Sequence, residues 1–183
     1  GIVGESGAGK SLTGASIVGL LPKPGRVTSG EIRLGERRID NLDREAMRRV
    51  RGREIGLIFQ DPQTSLNPLL TVGKQLVQTI TTHLDVSAED ARRRGIELLQ
   101  DVGIPAPERR MDSYPHEFSG GMRQRVVIAL ALCADPKLVI ADEPTTALDV
   151  SIQAQVLTLL RGLVRRRGLA VMLITHDMGV IAE

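Results

Sequence analysis

Gly4-Glu5-Ser6-Gly7-Ala8-Gly9-Lys10-Ser11 decides the fold. It fits G-x-x-x-x-G-K-[ST], the pattern of a loop that cradles phosphate. Each residue type answers a physical demand. Glycines let backbone N–H groups turn inward around phosphate oxygens without Cβ clashes. A helix after the loop adds its positive N-terminal end. Lys10 is long enough to reach β and γ phosphates, and the Ser11 hydroxyl is a Mg²⁺ ligand by type. The flanks agree: Ile2 and Val3 read as the end of a buried strand, and residues 11–21 as a helix stopped by Pro22, Pro24 and Gly25.

Further along, residues 31–34 and 37–39 alternate apolar and polar around Gly35, which predicts a short antiparallel pair. Residues 43–51 form an arginine-rich helix candidate, and 55–59 a buried strand. Residues 61–68 are rich in turn formers. From 72 to 103 the pattern is helical, with Ser87 and Asp90 as an approximate capping box. Pro105 and Pro107 break it, 111–118 reads as a loop, and Ser119 starts a helix to 134. Residues 138–141 are a wholly apolar strand. The helix over 151–167 carries Ile152, Val156, Leu159, Leu160, Leu163 and Val164 on one face, with Gly168 as its stop. Residues 169–175 are a last buried strand. Strands and helices alternate at both ends, which implies a parallel sheet with crossover helices and a helical insertion between.

The second chemical motif is Leu138-Val139-Ile140-Ala141-Asp142-Glu143, an apolar strand ending in two acids. Adjacent carboxylates repel and each costs desolvation, so a cation and a water explain them better than stability does. A solvated strand end before the turn at Pro144 is the plainer alternative. Third, Phe118-Ser119-Gly120-Gly121-Met122 begins a helix with a natural N-cap followed by two poor helix formers. Either something approaches that backbone closely, or the glycines serve packing alone.

Composition narrows the classes. Of 183 residues, 42% are hydrophobic and 2% aromatic, so the core is Leu, Val, Ile and Ala, as buried parallel strands require. One Tyr, two Phe and no Trp argue against stacking platforms for single-stranded nucleic acid. The net charge of +2 gives a weak nucleic-acid footprint, so no nucleic-acid partner is expected. A single cysteine, Cys133, excludes a disulfide scaffold within the chain and reads as buried and inert. The longest apolar run, 126–134, is far below the ~20 residues that span a bilayer. His83 and His116 read as surface or structural residues rather than ligands, and the Arg92-Arg93-Arg94 and Arg165-Arg166-Arg167 runs as solvated helix faces, with a phosphate or lipid-headgroup patch as the sharper alternative. The chain opens without Met directly into a motif and reads as a fragment cut at both ends.

These segments, in this order, resemble the nucleotide-binding domain of ABC ATPases. The phosphate loop matches Walker A, the acid strand Walker B, and Ser119-Gly120-Gly121 the signature motif. Gln60 matches the Q-loop, Ala147-Leu148-Asp149 the D-loop, and His176 the H-switch. The resemblance spans essentially the whole chain. Gln60-Asp61-Pro62, Thr64-Ser65-Leu66-Asn67-Pro68, Tyr114-Pro115-His116-Glu117, Gly121-Met122-Arg123-Gln124-Arg125 and the run from Asp142-Glu143-Pro144-Thr145-Thr146 to Val150 look like ATPases of bacterial oligopeptide, dipeptide and nickel importers. Two departures stand out. Phe118 and Met122 replace the outer residues of the usual Leu-Ser-Gly-Gly-Gln, and the adenine-stacking aromatic found upstream of Walker A in the family falls before Gly1.

The resemblance implies an α/β fold: a P-loop NTPase (RecA-like) parallel-sheet core over 1–63 and 136–183, a small antiparallel β portion, and an inserted α-helical subdomain over 64–135. It implies ATP and Mg²⁺ as cofactors. Gly4, Glu5, Ser6, Gly7, Ala8, Gly9, Lys10 and Ser11 would bind nucleotide, and Ser11, Gln60 and Asp142 would hold the metal. Glu143 would be the general base, with His176 and Gln60 as further catalytic groups. Ser119, Gly120 and Gly121 would act on a partner's ATP, and Asp149 would couple the two sites of a head-to-tail dimer. Implied partners are a second ABC ATPase subunit (hetero favoured over homo), transmembrane permease subunits and, indirectly, an extracytoplasmic binding protein. The implied location is peripheral, on the cytoplasmic face of the bacterial cell membrane. A soluble ABC ATPase acting on DNA or ribosomes is the competing class. Its DNA-repair members usually carry long coiled-coil or zinc insertions, and the corresponding segment here is short and holds no cysteine pair.

Overall fold

The structure, a computed structural model, describes residues 1–5, 7–146 and 148–177. Ser6 of the phosphate loop, Ala147 of the D-loop match and residues 178–183 lie outside the described residues, as do the side chains of Pro62 and Gln63.

Four strands form a parallel sheet in the order β1 (Ile2–Val3), β6 (Ala170–Thr175), β5 (Leu138–Asp142), β4 (Ile55–Ile58). The register sets Ile2 beside Ile174, Asp142 beside Ile174 and Ile58 beside Ala141. Successive side chains on a strand point to opposite faces. Ile55, Leu57, Ile140, Met172 and Ile174 accordingly join one apolar cluster, while Ile58, Val139, Ala141, Val171 and Leu173 join another. Both faces are apolar, which is why these strands read as continuous hydrophobic runs rather than alternating ones.

The first cluster also contains Ile17 of α1 (Lys10–Ile17), Val18, and Met47 and Val50 of α2 (Arg44–Val50). The second contains α7 (Gly120–Leu132) and α8 (Val150–Arg167), and beyond them α4 (Val72–His83) and α5 (Ala88–Asp101). Gly56 lets α7 lie on β4: a Cβ there would stand 2.3 Å from the Ala131 carbonyl oxygen. A separate antiparallel pair joins β2 (Arg33–Leu34) to β3 (Arg37–Arg38). Asp40 ties off that hairpin by accepting from the Ile32 amide and the Arg38 guanidinium, which together hold its carboxyl down at about 2.

Side-chain caps open four of the helices, two of them at the expected Ser87 and Ser119. Asp43, Thr71, Ser87 and Ser119 each accept from the backbone N–H three residues on. Four local expectations change. Helix α1 stops at Ile17, because Gly19 turns left-handed at φ 62°. Within the turn-rich 61–68 lies a single helical turn, α3 (Pro62–Ser65). Pro107 opens α6 (Pro107–Arg110) instead of only breaking a helix, since proline suits a first helical position. The loop over 111–118 contains a 3₁₀ turn, Pro115–Glu117.

Three arginines, from α5, from α8 and from the turn before β4, grip the segment just past the end of α7. Arg53 donates to the Ala134 carbonyl at 3.2 Å, and Arg94 donates to the Cys133 carbonyl at 2.8 Å. Arg94 and Arg167 both bind Asp135, at 2.6 and 2.7 Å, and Arg167 also pairs with Asp101. Positive charge at a helix C-terminus is the favourable sign for the helix dipole. Cys133 is buried, and burial pushes its thiol up to about 11, so it stays protonated.

Candidate active site

The carboxyl ends of β1, β4, β5 and β6 deliver the candidate residues to one place, as parallel sheets do. After β1 the chain turns through Gly7 and Gly9, at φ 84° and 83°, a region open to glycine without strain. Gly9 caps α1, whose first-turn amides have no intrahelical acceptors. Free amides at that helix end make it a candidate anion cradle.

Lys10 is buried at 8% exposure. Its ammonium donates to the carbonyls of Gly4 and Glu5, both at 2.8 Å, and stands 4.0 Å from Glu143 Oε1. An ammonium has three protons, so two hold the loop and one remains for an anion. Next to it, the Ser11 hydroxyl donates to Asp142 Oδ1 at 3.0 Å. Asp142 closes β5, one residue beyond the expected strand end.

Glu143 is the hub. Its Oε2 accepts from Gln60 Nε2 at 3.3 Å and from the Thr146 hydroxyl at 2.9 Å, and His176 Nδ1 lies 3.2 Å from the same oxygen. Gln60 arrives from the end of β4 and His176 from the end of β6. The Glu143 side chain is 13% exposed. Its backbone is left-handed at φ 46°, held by its N–H bonding the Ile174 carbonyl at 2.9 Å. For a non-glycine residue that conformation costs about 1–3 kcal/mol, and such strain concentrates at functional sites.

Of the expected site residues described, Lys10, Ser11, Gln60, Asp142, Glu143 and His176 converge here. Gln60 contacts Glu143 rather than the Ser11–Asp142 pair. Gly4 contributes a carbonyl that holds Lys10, as does Glu5, while Ala8 donates its amide to the Glu5 carbonyl. Ser119, Gly120 and Gly121 lie elsewhere, at the start of α7 against α8. Gly121 has a packing reason of its own: a Cβ there would stand 2.6 Å from Ile152 Cγ2. Gly120 has only Leu148 near, at 3.7 Å. Asp149 is the exposed N-cap residue of α8 and makes no side-chain cap bond. His83 and His116 lie away from this cluster, and His116 is exposed. His83 packs against Gly52, and His116 stacks on Tyr114. Sequence reading missed Thr146; the available signal was a hydroxyl residue three positions after an acid in a proline turn.

A phosphate loop beside a serine–carboxylate pair and a second, strained carboxylate defines a P-loop nucleoside-triphosphatase fold. Residues 1–146 match the family model described as ABC transporter, and the chain belongs to that family. It is 56% identical over its whole length to the oligopeptide transport ATP-binding protein OppD of Bacillus subtilis (strain 168), covering 51% of that protein. Against the dipeptide transport ATP-binding protein DppD of Escherichia coli (strain K12) it is 49% identical over its whole length, covering 56%. The chain thus spans about half the length of these curated relatives. Among solved structures, the dimeric post-hydrolysis state of the ATP-binding cassette MJ0796 bound to ADP and Pi superposes with a TM-score of 0.82 at 33% identity, over 98% of this chain and 75% of that one. The cbiO1 protein of Clostridium perfringens, part of the ABC transporter complex cbiONQ, gives 0.83 at 30% identity over 98% and 67%. Among the described residues, no helix is long and apolar enough to cross a membrane.

Proposed function

We propose that this chain is the ATP-hydrolysing part of a membrane importer for oligopeptides or dipeptides, with nickel as the alternative cargo. The observation that carries the hydrolytic reading is the convergence of Lys10, Gln60 and His176 on Glu143, beside the Ser11–Asp142 pair. The names of the relatives support the cargo class.

Lys10 and the loop amides would bind the β and γ phosphates. Ser11 and Asp142 suit Mg²⁺, which takes hard oxygen ligands from one or two side chains together with substrate phosphates. Bound there, Mg²⁺ supplies charge neutralisation of the transferring phosphoryl group. Glu143 takes a proton from the attacking water, whose oxygen bonds to the γ-phosphorus as the bond to the β-bridging oxygen breaks. ADP leaves with that electron pair. Gln60 and His176 hold the Glu143 carboxylate, and His176 orients the water. Positioning and electrostatics carry most of such a reaction.

In this reading residues 1–63 and 136–183 are the ATPase core and 64–135 the helical subdomain. Two such domains close head to tail, so that the α7 end bearing Ser119, Gly120 and Gly121 faces the partner's γ-phosphate and Asp149 links the two sites. The dimeric MJ0796 cassette supports pairing of two such domains by analogy. A cavity of about 540 Å³ runs along β4, lined by Ile55, Leu57, Phe59, Thr64, Val127 and Leu130. It suits a short helix of a permease subunit, which would place the chain on the cytoplasmic face of the membrane, and a binding protein would deliver cargo on the far side.

The test is Mg-ATP hydrolysis by the full-length protein with and without its membrane subunits, in wild type and E143Q. Stimulation by those subunits, lost in E143Q while ATP binding persists, is the expected result. Turnover indifferent to membrane partners but raised by DNA or ribosomes overturns it in favour of a soluble ABC ATPase.

A further inference from the structure

The two oxygens of Glu143 stand in different surroundings. Oε2 has three neighbours within hydrogen-bonding reach: the Thr146 hydroxyl at 2.9 Å, His176 Nδ1 at 3.2 Å and Gln60 Nε2 at 3.3 Å. A carboxylate oxygen has about two lone-pair sites, so Oε2 is fully engaged. Oε1 faces the Lys10 ammonium at 4.0 Å, beyond hydrogen-bond length. The oxygen with capacity to receive a proton is therefore the one turned toward the phosphate loop.

The contacts on Oε2 differ in how they are tied. Gln60 and His176 each lie past the end of a separate strand. Thr146 belongs to the same turn as Glu143, closed by its own N–H on the Glu143 carbonyl at 3.3 Å. Its hydroxyl makes the shortest of the three contacts. Glu143 also precedes Pro144 while sitting at φ 46°, and a residue before proline is normally driven to extended backbone. A side chain leaving so constrained a backbone needs a local partner to choose its rotamer.

We propose that Thr146 is a positioning residue for hydrolysis: its hydroxyl occupies Glu143 Oε2 and thereby leaves Oε1 as the atom that accepts the proton of the attacking water. This rests on Glu143 acting as the general base. Thr146 touches no substrate and acts through Glu143 alone.

The experiment measures kcat and KM for Mg-ATP in the full-length protein with its membrane subunits, for wild type, T146S, T146V and T146A, with E143Q and E143Q/T146V in parallel. Serine keeps the hydroxyl, valine keeps the shape without it, and alanine removes both. Loss of one orienting hydrogen bond predicts kcat down about 5- to 10-fold in T146V and T146A, with KM within about twofold. T146S recovers at least about half of wild-type kcat, and T146V adds no loss in the E143Q background. The proposal is overturned if T146V and T146A stay within about twofold of wild type, or T146S falls as far as T146V, or the loss lies in KM, or E143Q/T146V is slower than E143Q. Thermal midpoints are read alongside, and should T146V not fold, T146A and T146S decide by the same criteria. E143Q alone separates the two levels: if it hydrolyses ATP like wild type, the general-base reading has failed at its root, whatever Thr146 does.

Discussion

Ser11 Oγ and Asp142 Oδ1 meet at 3.0 Å although 131 residues separate them. Neither strand end touches the other directly, because β6 lies between β1 and β5. The contact exists because α1 starts just past the end of β1 and β5 stops on an acid at the same edge of the sheet. A hydroxyl and a carboxylate so placed form a hard-oxygen site that local sequence alone cannot assemble.

Replacing Asp142 with asparagine removes the charge while leaving the shape. ATP affinity measured with Mg²⁺ should fall about tenfold or more, roughly 1.4 kcal/mol. Affinity measured in excess chelator should change little. A D142N protein that binds Mg-ATP like wild type argues against metal ligation here.

Gly121 has no room for a side chain beside Ile152. Isoleucine is branched at Cβ and cannot swing Cγ2 away cheaply. G121A should therefore cost about 1–3 kcal/mol, read as a lower denaturation midpoint. In G121A/I152A the clash is relieved, so the double variant should be more stable than additivity predicts.

Burial lowers the pKa of His83, and the charge of Arg53 lowers it further. A histidine whose folded value lies below its unfolded one costs the fold nothing above the unfolded value of about 6.5, and lowers stability progressively as pH falls from there through the folded value. Wild type should therefore lose thermal stability between pH 7 and pH 5 more steeply than H83Q. Parallel curves would show that His83 does not contribute.

Asp135 sits at φ 49° and joins Arg94 and Arg167. Asparagine tolerates the same left-handed backbone, so D135N isolates the charge. Its side chain is 61% exposed, which limits the expected cost to about 0.5–1 kcal/mol. That cost should shrink in 1 M salt, where the screening length is about 3 Å. A salt-independent loss would point to packing instead.

The sheet was legible because its strands are unmixed apolar runs: Leu138-Val139-Ile140-Ala141 needs burial on both faces, and only a parallel sheet covered by helices offers that. Helix starts were legible through Ser87 and Ser119, whose caps are local hydrogen bonds. The single turns at Pro62–Ser65 and Pro107–Arg110 were not, since one turn carries no hydrophobic period to read.

By itself, then, the sequence determined the phosphate loop, the acid strand and their order, because glycine geometry, capping and apolar runs act within a few residues. Only the packed fold brings Gln60 and His176 to the oxygen of Glu143 that Thr146 reaches from within its own turn. It also decided that Gly121 is spoken for by Ile152. The meeting of Gln60, His176 and Glu143 is set by strand order and by the register of β4, β5 and β6, and that of Gly121 with Ile152 by the packing of α7 against α8; neither is contained in a single stretch of chain.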